Sequence, residues 1–208
     1  MVIAALPRQL IRHIVVCNNN SKDGTAAAAL KAGALVVNEA RPGYGAACLA
    51  GLARLRLDPP DVVVFLDGDY SDYPEQLPEL LAPIREQGMD LVIGSRALGQ
   101  AEPGSMQPQQ RFGNWLATNL IRLIYGYSFT DLGPFRAVRW PALETLGMQD
   151  QDFGWTVEMQ IRAAKQKLRC TEVPVRYRRR VGKSKISGTV KGTLRAGHKI
   201  LWTIFKLR

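Results

Sequence analysis

Short apolar runs along this chain alternate with longer stretches in which apolar residues recur at helical spacing. The runs predict strands at 14–17, 35–38, 62–66, 90–93 and 173–177, and the stretches predict helices at 25–32, 46–56, 75–86, 112–125, 154–167 and 190–207. Glycine and proline between 97 and 110 predict a mobile loop. The alternation is typical of βα units, so we expect an α/β domain over residues 1–189, with a mostly parallel central sheet flanked by helices, and a C-terminal helix at 190–208.

One predicted strand, Val62 to Leu66, leads directly into Asp67, Gly68 and Asp69. A β-branched apolar run is typical of an interior parallel strand, and ligands of open α/β sheets bind beyond the carboxyl ends of such strands. Carboxylate oxygens suit Mg²⁺ or Mn²⁺, and Gly68 allows a tight turn between the two aspartates. The spacing therefore indicates a divalent metal site.

A purely structural interpretation of the same residues is also open. In it, Asp67 and Asp69 only begin a loop, and Asp72 or Ser71 caps the helix that begins near Pro74. Because Asp-x-Asp is short and frequent, the spacing alone does not decide between the two interpretations.

Composition narrows the class of protein. The 208 residues are 46% hydrophobic and 22% charged, which predicts one domain with a sizeable core. No apolar run reaches the roughly 18 residues of a membrane span, and the amino terminus lacks the pattern of a secretory signal, so we expect a cytoplasmic protein. Three widely spaced cysteines indicate neither a disulfide framework nor a zinc site.

The net charge of +10 is concentrated near the carboxyl terminus. Residues 1–150 carry 13 Lys and Arg against 15 Asp and Glu, whereas residues 151–208 carry 15 against 3. A basic segment of this kind can face nucleic acid, an anionic membrane surface or a phosphorylated substrate, and charge alone does not choose among them.

The predicted helix 190–207 separates apolar from cationic side chains. In one interpretation it lies in a lipid interface with Trp202 at the boundary, and in the other it docks on its own domain. The apolar set is Leu194, Ile200, Leu201, Ile204 and Phe205, and the cationic set is Lys191, Arg195, Lys199, Lys206 and Arg208.

Four separated segments carry a family resemblance. They are 18–25 (Asn-Asn-Asn-Ser-Lys-Asp-Gly-Thr), Asp67-Gly68-Asp69 with Pro74-Glu75, 131–136 (Asp-Leu-Gly-Pro-Phe-Arg) and 182–185 (Gly-Lys-Ser-Lys). In this order they resemble the motifs of family-two glycosyltransferases with the GT-A (Rossmann-like) fold, in the branch of dolichyl- and polyprenyl-phosphate sugar synthases. The match covers nearly the whole chain, and each motif is weak by itself.

The resemblance implies a nucleotide-sugar donor. It places Asn18 and Asn19 near the base and ribose, with Arg41 beside that pocket. Asn in place of the family's Asp keeps hydrogen bonding to the nucleotide but removes charge, which leaves the base preference open.

The resemblance also implies the metal and its ligands. Asp67 and Asp69 would hold Mg²⁺ or Mn²⁺ against the two phosphates of the donor, where the cation offsets charge on the leaving nucleoside diphosphate. Ser71 stands where close relatives often have Gln as a third ligand, and serine is a weaker ligand.

Basic residues are implied in holding the phosphates. A lipid-phosphate acceptor brings its own anionic nucleophile, so the main task of the protein is to hold two phosphates close together and in line. The resemblance assigns this catalytic task to Arg96, Arg111 and Lys185. The implied substrate-binding set is completed by Arg136, Arg178, Arg180 and Ser184.

Two acidic residues have alternative roles. Asp131 positions the sugar or, with a hydroxyl acceptor, acts as a catalytic base; the alternative is an aspartate that caps a turn. Glu158 orients the sugar or an arginine, and the alternative is a glutamate on a helix surface.

One departure from the family concerns the amino terminus. The family normally opens with a strand that ends in Pro-x-x-Asn-Glu, and residues 1–7 resemble the end of the helix that follows it. Loss of an interior strand leaves backbone groups of its neighbours unpaired. We therefore expect either a true start upstream of Met1 or a truncated product with impaired activity.

These features together predict a metal-dependent, inverting hexosyltransferase. The donor is of the UDP-glucose or GDP-mannose type, and the acceptor is a polyprenyl or dolichyl phosphate at the cytoplasmic face of the membrane. Alternatives are transfer to a sugar or other hydroxyl, a truncated inactive relative, and a non-enzymatic module that binds nucleic acid. Against the last, aromatic residues of the tail lie among aliphatic ones, so no nucleic-acid partner is expected.

Overall fold

The elements follow the alternation predicted from the sequence. The computed structural model describes residues 1–182 and 190–208, and the side chains of 1–182 and 192–208. The strands are β1 (Val15–Asn19), β2 (Leu35–Glu39), β3 (Val62–Phe65), β4 (Leu91–Ala101), β5 (Arg136–Arg139) and β6 (Cys170–Tyr177). The helices are α1 (Val2–Ala5), α2 (Thr25–Lys31), α3 (Tyr44–Leu55), α4 (Leu77–Gln87), α5 (Pro108–Tyr125), α6 (Trp140–Leu146), α7 (Trp155–Lys165) and α8 (Val190–Lys206).

The strands form two sheets. β1 pairs with β2 in parallel, and a second sheet has the order β3-β5-β4-β6. β5 runs antiparallel to both of its neighbours, while β6 is parallel to β4, so three of the four strands share one direction. Within the described residues no strand joins β1 to β3. The predicted α/β fold with a mostly parallel sheet and flanking helices is confirmed, and the prediction about a missing first strand stays a prediction.

Alternation along β4 supplies a core to each face of the larger sheet. Leu91 and Ile93 are fully buried on the face that α5, α6, α7 and α8 cover, whereas Val92 is fully buried on the opposite face beneath α4. Successive strand residues point to opposite faces, so a sheet covered on both sides shows a continuous apolar run. This explains why 90–93 contains no alternation of polar and apolar residues.

The predicted loop at 97–110 is wrong at both ends. β4 continues to Ala101 because, after a register shift between Ser95 and Gln100, it pairs with β6 again. α5 begins at Pro108, where Gln107 and Gln110 form a reciprocal cap on the first turn. The segment therefore contains strand and helix termini in place of a long loop.

The C-terminal helix α8 packs on its own domain. Ile204 is fully buried against α5 and α7, and the Tyr125 hydroxyl donates to the Ile204 carbonyl. The opposite side of the helix leaves Leu194, Trp202 and Phe205 more than half exposed. Within the described residues, we find no helix with both the length and the apolar character that crossing a membrane requires.

Close backbone packing joins α3 to the segment before α7. The amides of Gly45 and Ala46 donate to the carbonyls of Asp152 (3.3 Å) and Gln151 (3.0 Å). A Cβ atom on Gly45 would overlap the backbone carbonyl of Asp150. The absence of a side chain at position 45 thus lets the start of α3 lie against residues 150–152.

Replacing this glycine should destabilise the fold. Gly45→Ala should lower the free energy of unfolding by about 2 kcal/mol or more, because a backbone carbonyl cannot move aside as a side chain does. The matched control is Gly113→Ala in α5, where nothing lies within 4 Å of the added Cβ. That change should raise stability by up to about 1 kcal/mol. Urea unfolding checks both, and equal effects would contradict the packing described.

Candidate functional site

The predicted site residues come together around the ends of β3, β4 and β6. Asp67 and Asp69 follow β3, Arg96 lies in β4, Asp131 precedes β5, and Arg178 follows β6. The Arg96 guanidinium lies 5.0 Å from the ring centre of Tyr177, which pairs with Asp72, and this links the Arg96 side of the site to the aspartate loop. The carboxyl ends of parallel strands therefore build the site, as the sequence predicted.

The carboxylates after β3 lie in an environment that resists their charge. Burial and the neighbouring charge of Asp69 raise the pKa of Asp67 to about 6. Asp72 is 1% exposed, and neither of its carboxylate oxygens has a hydrogen-bond partner. Burial, followed by the charge of Asp67, raises the pKa of Asp72 to about 8. Burial therefore disfavours the charged form of both the Asp67 and the Asp72 carboxylate.

Asp69 is held on both of its carboxylate oxygens. Oδ1 accepts from the amide and the hydroxyl of Ser71, and Oδ2 lies 3.1 Å from the Arg180 guanidinium. Ser71 is fully buried with its hydroxyl directed at Asp69. The Ser71 hydroxyl thus positions Asp69, and its predicted role as a metal ligand stays a prediction. Helix capping by Ser71 or Asp72 is wrong, since no side chain caps the turn at Pro74–Gln76.

The donor set fits a cation shared with a phosphorylated ligand. Within the described ranges, no three His, Cys, Asp or Glu side chains converge into a complete metal cage. Mg²⁺ typically takes one or two carboxylates and completes its shell with phosphates and water. Asp67 and Asp69 are half-buried, and they lie beside Asp72, whose buried carboxylate has no hydrogen-bond partner. This arrangement matches that requirement.

Arg96 and Asp131 form a buried ion pair. Oδ2 of Asp131 accepts from the Arg96 amide (2.8 Å) and from Nε (2.7 Å), and Oδ1 accepts from Nη2 (2.7 Å). Asp131 is fully buried, while the Arg96 side chain keeps 14% exposure. This bidentate geometry is the strongest that arginine makes with a carboxylate. Asp131 therefore positions Arg96, and its predicted roles as base, sugar ligand or turn cap stay predictions.

Three elements hold the turn that carries Asp131. The Glu172 carboxylate of β6 accepts from the amides of Thr130 and Asp131. Asn114 of α5 bridges the Thr130 carbonyl and the Leu132 amide, and Gln160 of α7 donates to the Asp131 carbonyl. Sequence reasoning missed this network because its members are distant along the chain.

Arg178 joins the segment after β6 to the aspartate loop. Its guanidinium lies 3.5 Å from the ring centre of Tyr70 and 4.0 Å from that of Tyr73, and donates to the Tyr70 and Asp72 carbonyls. Tyr70 has a left-handed backbone with φ of 62°, which costs about 1 kcal/mol in a residue with a side chain. These contacts make Arg178 an anchor of the aspartate loop, and its predicted substrate-binding role stays a prediction. Tyr70 and Tyr73 are the sequence feature that could have indicated an arginine packed on this loop.

The asparagines after β1 connect backbone segments. Asn19 donates to the carbonyls of Glu39 and Arg41 and accepts from the Gly43 amide, and Asn18 donates to Asn38. These contacts place the start of α3 beside the site. There, burial and then the charge of Asp67 raise the pKa of Tyr44 well above its usual value. Nucleotide contact by Asn18 and Asn19 stays a prediction.

Arg41 and Glu158 line a cavity of about 270 Å³ against α8. Arg41 is exposed there. Glu158 is 2% exposed, and its carboxylate accepts from Arg162 Nε and from the amides of Gln149 and Asp150. Glu158 thus holds an arginine, Arg162, and its predicted role toward the sugar stays a prediction.

Arg136 is also structural. It is fully buried and donates to the carbonyls of Leu132, Gly133 and Thr156, and its predicted substrate-binding role stays a prediction. Arg111 is exposed near the start of α5. Ser184 and Lys185, predicted on the substrate phosphates, lie outside the described residues.

Comparison with known proteins identifies the family. The sequence profile of Glycosyl transferase family 2 matches residues 2–147. The chain belongs to glycosyl transferase family 2. An uncharacterized glycosyltransferase of Mycobacterium tuberculosis is 37% identical over 195 residues, which cover 93% of this chain and 85% of that protein. The dolichyl-phosphate hexose transferase of Haloferax volcanii is 35% identical over 173 residues, covering 83% of this chain and 73% of that one.

A solved structure shares the fold of this family-2 chain. Glucosyl-3-phosphoglycerate synthase from Mycobacterium tuberculosis, in complex with Mn²⁺, UDP and glucosyl-3-phosphoglycerate, superposes with a TM-score of 0.77 at 20% identity. The likeness covers 99% of this chain and 73% of that one.

The Arg96 to Asp131 pair should be essential to stability. Asp131→Asn should lower the free energy of unfolding by about 3 kcal/mol or more, because it leaves the largely buried Arg96 without a counter-charge. The matched control is Glu144→Gln, which breaks a pair with Arg56 of 3.1 Å between side chains that are 41% and 54% exposed. That change should cost less than about 1 kcal/mol. Urea unfolding compares them, and equal losses would refute the assignment.

Proposed function

We propose that this family-2 enzyme transfers a hexose, with inversion, from a nucleotide-sugar to a polyprenyl or dolichyl phosphate. The observation that carries the proposal is the burial of Asp131, which accepts three hydrogen bonds from Arg96 and has no exposed side-chain surface at which a hydroxyl could deliver a proton. A phosphate acceptor is already ionised and needs no base. The name of the Haloferax volcanii relative, a dolichyl-phosphate hexose transferase, supports this acceptor class.

The reaction requires two anionic groups in line at one carbon. A phosphate oxygen of the acceptor attacks the anomeric carbon, the bond from that carbon to the donor diphosphate breaks, and the nucleoside diphosphate leaves. Asp67 and Asp69 are the residues that would hold Mg²⁺ or Mn²⁺. The bound cation offsets negative charge on the leaving diphosphate.

Arginine supplies the remaining positive charge. The Arg96 side chain keeps 14% exposure while Asp131 fixes its direction, and this arrangement suits contact with a phosphate. Arg111 on the exposed start of α5 would bind the acceptor phosphate, because Asn114 on the same helix holds the Asp131 turn. Positioning and charge compensation, rather than proton transfer, are thus the contributions of this chain.

Membrane contact belongs to the same proposal. The outer side of α8 exposes Leu194, Trp202 and Phe205, and α5 exposes Phe112 and Trp115 with ring centres 5.9 Å apart. Aromatic and leucine side chains among cations suit the interface of an anionic membrane. We place the enzyme peripherally at the cytoplasmic face.

A donor and acceptor screen tests the reaction. With Mn²⁺ or Mg²⁺, release of nucleoside diphosphate from UDP-glucose or GDP-mannose should rise when a short polyprenyl phosphate is added and should not rise with the matching polyprenol. Asp67→Asn should lower this activity at least about 100-fold, because it removes a charged metal ligand. Glu144→Gln serves as the control and should retain activity. Transfer to the alcohol or to a free sugar would favour the alternative hydroxyl acceptor.

A vesicle experiment tests the membrane contact. Replacing Trp202 and Phe205 together by serine should weaken binding to phosphatidylglycerol vesicles roughly tenfold or more, because each buries apolar area in the interface. Leu57→Ser removes a side chain that is 78% exposed just after the end of α3 and is the matched control. Co-sedimentation measures both. Equal loss in the control, or unchanged binding in the double variant, would contradict the proposed surface.

A further inference from the structure

Arg180 stands where a cation would contact Asp69. Because Ser71 occupies Oδ1 of Asp69, Oδ2 is the oxygen left for an external ligand, and the Arg180 guanidinium lies 3.1 Å from it. The Arg180 side chain is 34% exposed and that of Asp69 is 21% exposed. The contact is accessible to solvent, so an ion or ligand can reach it.

The backbone around Arg180 is fixed to the aspartate loop. The Arg178 amide donates to the Ser71 carbonyl (2.9 Å), and the Val181 amide donates to the Asp69 carbonyl (2.8 Å). The Arg178 guanidinium is fixed between Tyr70 and Tyr73. Arg180 therefore stays beside Asp69 as a side chain that can turn on a fixed main chain.

We propose that Arg180 and the divalent cation exchange at Oδ2 of Asp69, so that metal binding frees the Arg180 guanidinium to bind the donor diphosphate. Without metal, Arg180 balances part of the negative charge of Asp67 and Asp69. When a divalent cation takes that oxygen, like charges repel the guanidinium, and the diphosphate that arrives with the metal attracts it. The inference rests on the metal and diphosphate site of the proposed function.

Exchange predicts opposite effects of one substitution on two ligands. Arg180→Met should bind Mn²⁺ alone roughly two to five times more tightly than the native chain, because a partly exposed ion pair of at most about 1 kcal/mol no longer competes. The same variant, saturated with Mn²⁺, should bind UDP or GDP at least about fivefold more weakly. Arg180→Lys keeps the charge and should remain close to the native chain for Mn²⁺.

Arg179→Met is the matched control for loss of one nearby positive charge. Arg179 is the adjacent residue, but its Nε donates to the Pro103 carbonyl and not to Asp69. Isothermal titration of the full chain with MnCl₂, and then with UDP and with GDP at saturating Mn²⁺, gives the affinities. Circular dichroism confirms that the variants are folded.

The outcomes separate the exchange from the proposed function. A gain in Mn²⁺ affinity with Arg180→Met but not with Arg179→Met, together with weaker nucleotide binding, supports the exchange. Unchanged or weaker Mn²⁺ binding by Arg180→Met, or an equal gain with Arg179→Met, overturns it while the metal site stands. A native chain that does not bind Mn²⁺ with or without nucleotide overturns both.

Discussion

Charge balance after β3 is the constraint on which the site depends. Asp67, Asp69 and Asp72 lie within six consecutive positions. Burial opposes ionisation of Asp67 and Asp72. The nearby arginines are largely committed, since Arg96 serves Asp131 and Arg178 serves rings and carbonyls. Among the described residues, negative charge thus exceeds positive charge at the carboxyl edge of the sheet. A divalent cation would supply positive charge there, which is why an arrangement unfavourable in the protein alone is useful in the proposed reaction.

The surrounding structure stabilises this unfavourable edge. Tyr70 holds a left-handed backbone, and Arg178, bound to rings and carbonyls at once, compensates for that strain. The Asp131 turn is fixed by side chains from α5, α7 and β6, so Arg96 keeps its direction whatever binds nearby. Rigid support from distant elements is what a site needs when it acts by placing charge rather than by moving protons.

Sequence reasoning found the parts that local pattern determines. The run at 62–66, followed by Asp-Gly-Asp, shows a buried strand and its acidic end without any knowledge of neighbours. It could not find β5, because Arg136–Arg139 has arginine at both ends and lies within the sheet only through pairing with β3 and β4. The contacts of Arg136 could not be found for the same reason, since its carbonyl partners include Thr156, which is 20 residues away. Side-chain roles set by such long-range contacts are not encoded in a motif of six residues.

The acceptor is where geometry adds most to the motifs. The 131–136 motif alone allows its aspartate to be a base, whereas the burial of Asp131 and its three bonds from Arg96 count against proton transfer. A solved structure of the same fold is a glucosyl-3-phosphoglycerate synthase, so the fold by itself does not determine the acceptor. What favours a phosphate nucleophile in this chain is the pairing itself. An arginine fixed in direction and partly exposed can bind an anion, whereas the carboxylate behind it has no contact with solvent through which to receive a proton.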